Sequence, residues 1–301
     1  MQETIMMSAE PVSAEIKKKV TSEVLKLRRE KGITPKLVAL MIGNDPISRT
    51  YLQLKRADCA EVGIISEVMD LSMLSISEVQ TRVKETIQNL NNDPNVHAII
   101  PQMPFDGKVS EELVFSTLSQ DKDVDGLTPF RLGKLLRKEY SLEESLLPCT
   151  PKGIVALLRH YGVKIEGSDV AIIGRSTLVG EPLRKILQDL NATAICLHTF
   201  SKNLNQRLGE ADVVVAAAGR PPEIYGASGF RLTGGMVKEG SAVVSVGARK
   251  EHTSGRTFFD VDLMSLKGKS AFLTPNIGGV GAMTRAMLLQ NTLLATGLQL
   301  K

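Results

Sequence analysis

Cysteine is scarce in this chain, with three among 301 residues, at Cys59, Cys149 and Cys196. An odd number spread that widely offers no disulfide framework and points to a reducing compartment. Neither the cysteines nor the four histidines fall at metal-ligand spacing, so no metal site is expected. No stretch reaches the run of about 20 apolar residues that spans a bilayer. The opening MQETIMMSAEPV carries an early glutamate and lacks the apolar run and cleavage site of a signal peptide. These absences predict a protein of the cytosol or of a soluble lumen, with the cytoplasm preferred and no membrane partner. Charge of one sign is not in excess either: 37 basic against 33 acidic residues leave a net charge of +4. The basic residues are scattered along the chain, so no nucleic-acid footprint is expected. There is no internal repeat and no low-complexity segment.

What is present is the composition of a globular protein, 43% hydrophobic and 23% charged, long enough for two domains. Val12, Ile16, Val20, Val24 and Leu27 make an apolar stripe at helical spacing, with Ser8 placed to cap it. A buried strand is predicted at 36–42, and further strands at 64–71 and 96–103. A helix carrying Tyr51 and Lys55 stops at Gly63, a second stripe runs through Val79, Val83, Ile87 and Leu90, and a third helix lies near 110–118. Strand alternating with helix predicts an α/β fold with a parallel sheet covered on both faces. After a turn-rich segment at 139–150, a second series begins with strands at 169–174, 192–198, 211–219 and 241–248. A terminal helix near 283–298 has no strand after it and can pack back on the first domain.

The run VAIIGRSTLVGEPLRKIL joins a buried strand to a helix through a turn holding Gly174 and Gly180. Dinucleotide folds seat a pyrophosphate in such a turn, where glycines allow close approach and the helix N-terminus favours anions. The spacing is not G-x-G-x-x-G, and an ordinary tight strand-to-helix turn accounts for it equally well. The next strand decides more. An NAD enzyme places an acid at its end for the ribose 2′-hydroxyl, whereas CLHTFSKN offers His198, Thr199, Ser201 and Lys202, with Arg175 in reach. Donors without a carboxylate suit a 2′-phosphate, so NADP is favoured over NAD.

Seven segments then converge on one family: SRTYLQLK (48–55), PQMP (101–104), DKDVDGLTP (121–129), PCTPKGI (148–154), IGRSTLVGEP (173–182), AAGRPP (217–222) and TPNIGGVGAMT (274–284). In order and spacing the chain resembles the bifunctional methylenetetrahydrofolate dehydrogenase/cyclohydrolase enzymes over nearly its whole length. The resemblance implies two α/β domains with a cleft between them. Residues 1–147 plus 280–301 would form the folate-binding catalytic domain, and 148–279 an NADP-binding Rossmann domain. It also implies a homodimer that oxidises 5,10-methylenetetrahydrofolate with NADP and hydrolyses the methenyl product to 10-formyltetrahydrofolate. Carried over by position, Lys55 is similar to the family's catalytic lysine, Tyr51 to its partner and Gln102 to the glutamine beside the lysine. Asp125 matches the acid that holds the pterin, and Gly278 and Gly279 lie in the loop near the substrate. Gly174, Arg175, Ser176, Gly180, Thr199, Ala218 and Gly219 fall on cofactor-binding positions.

Each of these residues has a plainer reading. Tyr51 and Lys55 are four apart on a predicted helix and share a face, which describes a solvated surface as well as an active site. A Tyr-x-x-x-Lys pair also serves short-chain dehydrogenases, but those place their glycine turn first, and here the pair precedes it. Asp125 reads alone as a turn aspartate, Gln102 as a strand-end polar residue, and GGVG as a flexible turn. The chain also departs from the family pattern. Asn276, Ile277 and Ala282 replace the residues usually flanking the glycine loop, two of them prolines, which predicts a looser loop. Ser245 stands where an aspartate is common, and PQMPF differs from the usual run along the folate wall.

Overall fold

A computed structural model describes residues 3–251 and 254–300 of the chain. It opens with a two-residue strand, β1 (Ile5–Met6), and a long helix, α1 (Glu10–Lys31), whose first amide is met by the Ser8 hydroxyl at 3.3 Å. Strand and helix then alternate through β2 (Lys36–Met41), α2 (Pro46–Glu61), β3 (Ile65–Asp70), α3 (Ile76–Asn92), β4 (Ala98–Gln102), α4 (Glu111–Thr117) and α5 (Pro129–Leu136). The second series runs α6 (Cys149–His160), β5 (Asp169–Ile173), α7 (Gly180–Asp189), β6 (Thr193–Leu197), α8 (Leu204–Glu210) and β7 (Val213–Ala216). It continues with α9 (Pro222–Tyr225), β8 (Ala242–Ser245), β9 (Ala248–Lys250), β10 (Thr257–Phe259), α10 (Leu263–Leu266), β11 (Phe272–Leu273) and α11 (Val280–Gln299).

The chain divides into two compact units, one of residues 14–149 with 285–301 and the other of residues 1–13 with 150–284. The first is built on a parallel sheet in the order β3-β2-β4. β2 is buried almost end to end because it is central, with Leu37, Val38, Ala39, Leu40 and Met41 all under cover. The helical stripe Val79, Val83, Ile87 and Leu90 buries one face of α3. Beyond β4, Ile99 bridges Asp123 in parallel and its amide donates to the Lys122 carbonyl at 2.8 Å. This bridge carries the 122–125 segment along the outer side of β4, toward the same sheet edge where Gln102 ends that strand. Lys122 is itself buried and donates to the carbonyls of Leu90 and Asp93, 2.8 and 2.7 Å away. A cation at the C-terminal carbonyls of α3 complements the helix dipole.

The second unit holds a six-stranded parallel sheet in the order β1-β11-β8-β7-β5-β6. The order reverses at β5, whose neighbours are β6 on one side and β7 on the other, the topology of a doubly wound dinucleotide fold. Ala171, Ile173, Leu197, Val214, Ala216, Val243 and Leu273 fill one core on these strands. An antiparallel pair, β9 and β10, follows β8.

One segment lies elsewhere than the expected division places it. Residues 1–13 belong with the six-stranded sheet, because Ile5 and Met6 pair with Phe272 and Leu273 of β11. A two-residue strand is too short to show alternation, and its partner lies more than 260 residues away. The strand expected at 211–219 is also shorter, because the chain leaves the sheet after Ala216 and turns through Gly219 at φ 61°.

Candidate functional site

In the three-stranded unit, α2 starts where Asp45 accepts from the Ser48 amide at 2.9 Å, while the Ser48 hydroxyl donates to the Met103 carbonyl at 3.1 Å. The helix is thereby pinned to the segment following β4, and its inner face meets the carboxyl end of that strand. Lys55 projects there and is only 7% exposed. Its Nζ donates to Gln102 Oε1 at 2.8 Å and sits 5.3 Å from the centroid of the Tyr51 ring. Gln102 is oriented in turn by donating from its own amide to the Met103 carbonyl at 2.9 Å. Tyr51, Lys55 and Gln102 thus come together, as the sequence suggests.

Burial holds the Lys55 amine below the usual lysine range, and the Arg285 guanidinium pushes the same way. Asp125, Cys149 and Cys59 pull it back up, less strongly than burial pushes it down. A lowered value enlarges the share of free amine at a given pH, and the free amine has a lone pair that can accept a proton. Asp125 is half-buried, and the Cys149 amide approaches its carboxylate at 3.4 Å. Its loop is held from below by Asn291 of α11, whose side-chain amide donates to the carbonyls of Val124 and Leu147 at 2.8 and 2.9 Å. Sequence reading passes over Asn291, since a lone amide in an apolar helix carries no local signal of a partner so distant in the chain. Asp123, two residues before Asp125, is fully buried with its Oδ2 on the Thr128 amide at 2.7 Å, and burial pushes its carboxyl up to about 6.

The six-stranded unit carries a second constellation. Gly174 follows β5 at φ 123°, and a Cβ there would meet the Ala217 carbonyl. A Cβ at Gly180 would collide with the Gly174 carbonyl, so both positions need glycine for the turn to close against the start of α7. Ser176 accepts from the Val179 amide at 3.2 Å and shapes the same turn. A cavity of about 580 Å³ opens at the ends of β5, β6 and β7, lined by Gly174, Arg175, His198, Thr199, Ser201 and Ala218 among others. Ser176, Gly180 and Gly219 stand in the adjoining turns rather than on its wall. Arg220 and Ser228 also line it, and the sequence reading missed both. No carboxylate is among the lining residues, a donor set that fits a dinucleotide bearing a 2′-phosphate.

The turn after β7 has an organiser that sequence reading also missed. Asp260 is completely buried and accepts from the amides of Gly219 at 2.7 Å and Arg220 at 3.1 Å. Burial raises its carboxyl above the usual range while these backbone donors pull it down. In the glycine loop before α11, Gly278 has φ 77°, and its carbonyl accepts from the Ala9 amide at 2.8 Å. A Cβ on Gly279 would collide with the Pro275 carbonyl. Two of the unusual residues meet here: the Ser245 hydroxyl donates to Asn276 Oδ1 at 2.7 Å. The loop therefore has a polar tether to the end of β8. No disulfide joins the cysteines, and no cluster of side chains suited to a metal occurs among the described residues.

Comparison with known proteins finds one family along both halves of the chain. The profile for the tetrahydrofolate dehydrogenase/cyclohydrolase catalytic domain matches residues 7–125, and that for the NAD(P)-binding domain of the same family matches residues 148–300. The bifunctional protein FolD of Pyrobaculum calidifontis is 41% identical over 294 residues, which cover 96% of this chain and 95% of the relative. The crystal structure of the bifunctional FolD methylenetetrahydrofolate dehydrogenase/cyclohydrolase from Campylobacter jejuni is 35% identical with a TM-score of 0.87, covering 98% of this chain and 99% of that one. The Trypanosoma brucei methylenetetrahydrofolate dehydrogenase-cyclohydrolase, complexed with NADP and an inhibitor, is 30% identical with a TM-score of 0.89 over the full length of both. With matching profiles on both halves and relatives alike along nearly its whole length, the chain belongs to the tetrahydrofolate dehydrogenase/cyclohydrolase family.

Proposed function

We propose that the chain oxidises 5,10-methylenetetrahydrofolate to the 5,10-methenyl form with NADP and then hydrolyses that product to 10-formyltetrahydrofolate. The observation that carries this reading is the buried Lys55 amine, hydrogen-bonded to Gln102 beside Tyr51. Hydrolysis adds water to the methenyl carbon, breaks its bond to N5 and leaves a formyl group on N10. Of the two water protons, one ends on N5 and the other leaves for solvent. Lys55 takes the first proton from the attacking water. Gln102 fixes the amine by accepting one of its N–H groups, which leaves the lone pair free, and Tyr51 orients the water and substrate. Asp125 accepts paired hydrogen bonds from the pterin amino group and ring N–H. Gly278 and Gly279 let backbone come close to the bound ligand.

When bound, NADP accepts the hydride. The turn of Gly174, Ser176 and Gly180 at the start of α7 suits its pyrophosphate, and Arg175 with Thr199 suits its 2′-phosphate. Ala218 and Gly219 suit the ribose and nicotinamide side of the same sheet edge. Hydride loss from the methylene is supported by the folate nitrogen lone pair, so oxidation needs little acid–base help. Hydrolysis depends on Lys55 far more. A Lys55→Met variant is expected to lose hydrolysis by about 10²–10⁴-fold while retaining most hydride transfer. An absorbance assay comparing NADP with NAD, and following decay of the methenyl product, measures both steps. Absence of NADP-dependent oxidation in the parent chain overturns the reading.

The same reading places the protein in the cytoplasm as a homodimer. No helix among the described residues is long and apolar enough to cross a membrane. The dimer is supported by β3, an edge strand of its sheet. Ile65 and Met69 stand on one face of it, 48% and 39% exposed, and Met73 and Ile76 follow at 86% and 76%. An apolar edge of this kind is a ready surface for a second copy.

A further inference from the structure

Beside the Lys55–Gln102 pair lies a charged chain that the mechanism above does not use. Arg285, from α11, donates through Nε to Asp58 Oδ2 at 2.5 Å, and its guanidinium lies 6.0 Å from the centroid of the Tyr51 ring. Asp58 is one helical turn beyond Lys55 on α2, and its other oxygen accepts from Lys17 of α1 at 2.7 Å. Lys17 also reaches Glu61 at 2.6 Å. The side chains of Asp58, Arg285 and Lys17 are 11%, 21% and 22% exposed, so this is a partly covered network joining three helices. We propose that Arg285, anchored by Asp58, is a positioning residue that holds Tyr51 beside Lys55 and sets a fixed positive charge next to the amine. The proposal rests on the functional reading above and names a second-helix support for its proton-handling site.

The electrostatics have a definite sign. The groups facing Lys55 are Tyr51 and Cys59 on its own helix, Gln102 at the end of β4, Asp125 and Cys149 from the loops, and Arg285 from α11. Gln102 is uncharged, and burial pushes the Cys59 thiol up to about 12, so it is neutral at working pH. The Cys149 thiol keeps its proton on the Val124 carbonyl at 3.3 Å, so the contest among full charges is between Asp125, which favours the ammonium, and Arg285, which favours the free amine. Burial adds to the side of Arg285. A depressed lysine becomes neutral, and competent to accept a proton, as pH rises through its folded value. Removing the Arg285 charge raises that value and moves the onset of hydrolysis to higher pH. The Asp58 carboxylate, left with Lys17 as its one cation, pushes in the same direction.

The test is the pH profile of methenyl hydrolysis, with hydride transfer measured on the same preparations. Arg285→Met is expected to move the rising limb alkaline by roughly 0.3–1 unit, with NADP-dependent oxidation changed less than twofold. Arg285→Lys retains the charge and is expected to restore the parental limb. A profile for Arg285→Met that superimposes on the parent, or equal loss of both activities, overturns the proposal. Should Arg285→Met fail to fold by circular dichroism, Asp58→Asn takes its place. That variant loses a carboxylate beside the site and keeps the Arg285 cation, so its rising limb is expected to move to lower pH, and a limb that superimposes on the parent overturns the proposal. If the parent chain itself performs neither reaction, the functional reading fails, and that result is distinct from all of these.

Discussion

Arg175 is exposed at the wall of the cavity beyond β5, with Thr199 and Ser201 on the same wall. Its planar fork matches a phosphate, and a charge-assisted contact of that kind contributes about 1.5–3 kcal/mol. Arg175→Ala should therefore weaken NADP by about 10–100-fold and NAD little, measured as KM for each cofactor. An unchanged preference would remove Arg175 from the phosphate site. At this scale the sequence is informative where a residue type is unusual for its neighbours. The missing acid after β6 and the amide ending an apolar strand are both visible without coordinates. Asn291, Asp58 and Arg285 are not. Arg285 and Asp58 are separated by 227 positions, and each alone reads as an ordinary polar residue on a helix.

Whole elements were legible where the apolar pattern runs long. The stripes of α1 and α3 and the buried run of β2 predict themselves, because each must hide a continuous face. The two-residue strands β1 and β11 and the β9–β10 pair are too short for a period, and only their partners make them strands. That region matters for the cofactor turn. Gly247 lies between β8 and β9, and a Cβ there would collide with the Asp260 carboxylate that holds the Gly219 and Arg220 amides. Asp260 is buried and accepts from backbone, so its displacement leaves amides unpaired as well. Gly247→Ala is expected to destabilise the six-stranded unit by about 1–3 kcal/mol and to weaken NADP binding. Denaturant melts and cofactor titration check both, and a variant with parental stability and affinity would show that the turn does not depend on Asp260. The loop before α11 carries a related lesson. Lost prolines predict a looser segment, yet the Ser245–Asn276 bond and the Ala9–Gly278 bond both tie it to neighbouring backbone and side chains.

For the molecule as a whole, the order of motifs fixed the family from sequence, while the proposed homodimer has only an indirect trace there. The sequence predicts a strand over 64–71, but whether an outer face of β3 meets solvent or a partner is not written in so short a run. Exposed Ile65 and Met69 favour a partner, and a stable pairing buries roughly 1,600 Å² in total. Met69→Lys should shift the protein from dimer to monomer in sedimentation at micromolar concentration. A parent chain that sediments as a monomer would refute the dimer.

The pairing of β1 with β11 also orders events in time. During synthesis Ile5 and Met6 leave the ribosome well ahead of the strand they join, Phe272–Leu273, which emerges more than 260 residues later. Through that interval the other five strands' core can form only in part, and the three-stranded unit, most of which is made first, has its earliest opportunity to collapse. β1, an outermost strand of the nucleotide sheet, is thus made before the five other strands of that sheet and can dock only after the last of them, β11, has emerged. Any extension attached just ahead of Ile5 would hang from that late-closing edge, so a fusion there would disturb the cofactor half of the enzyme before the folate half.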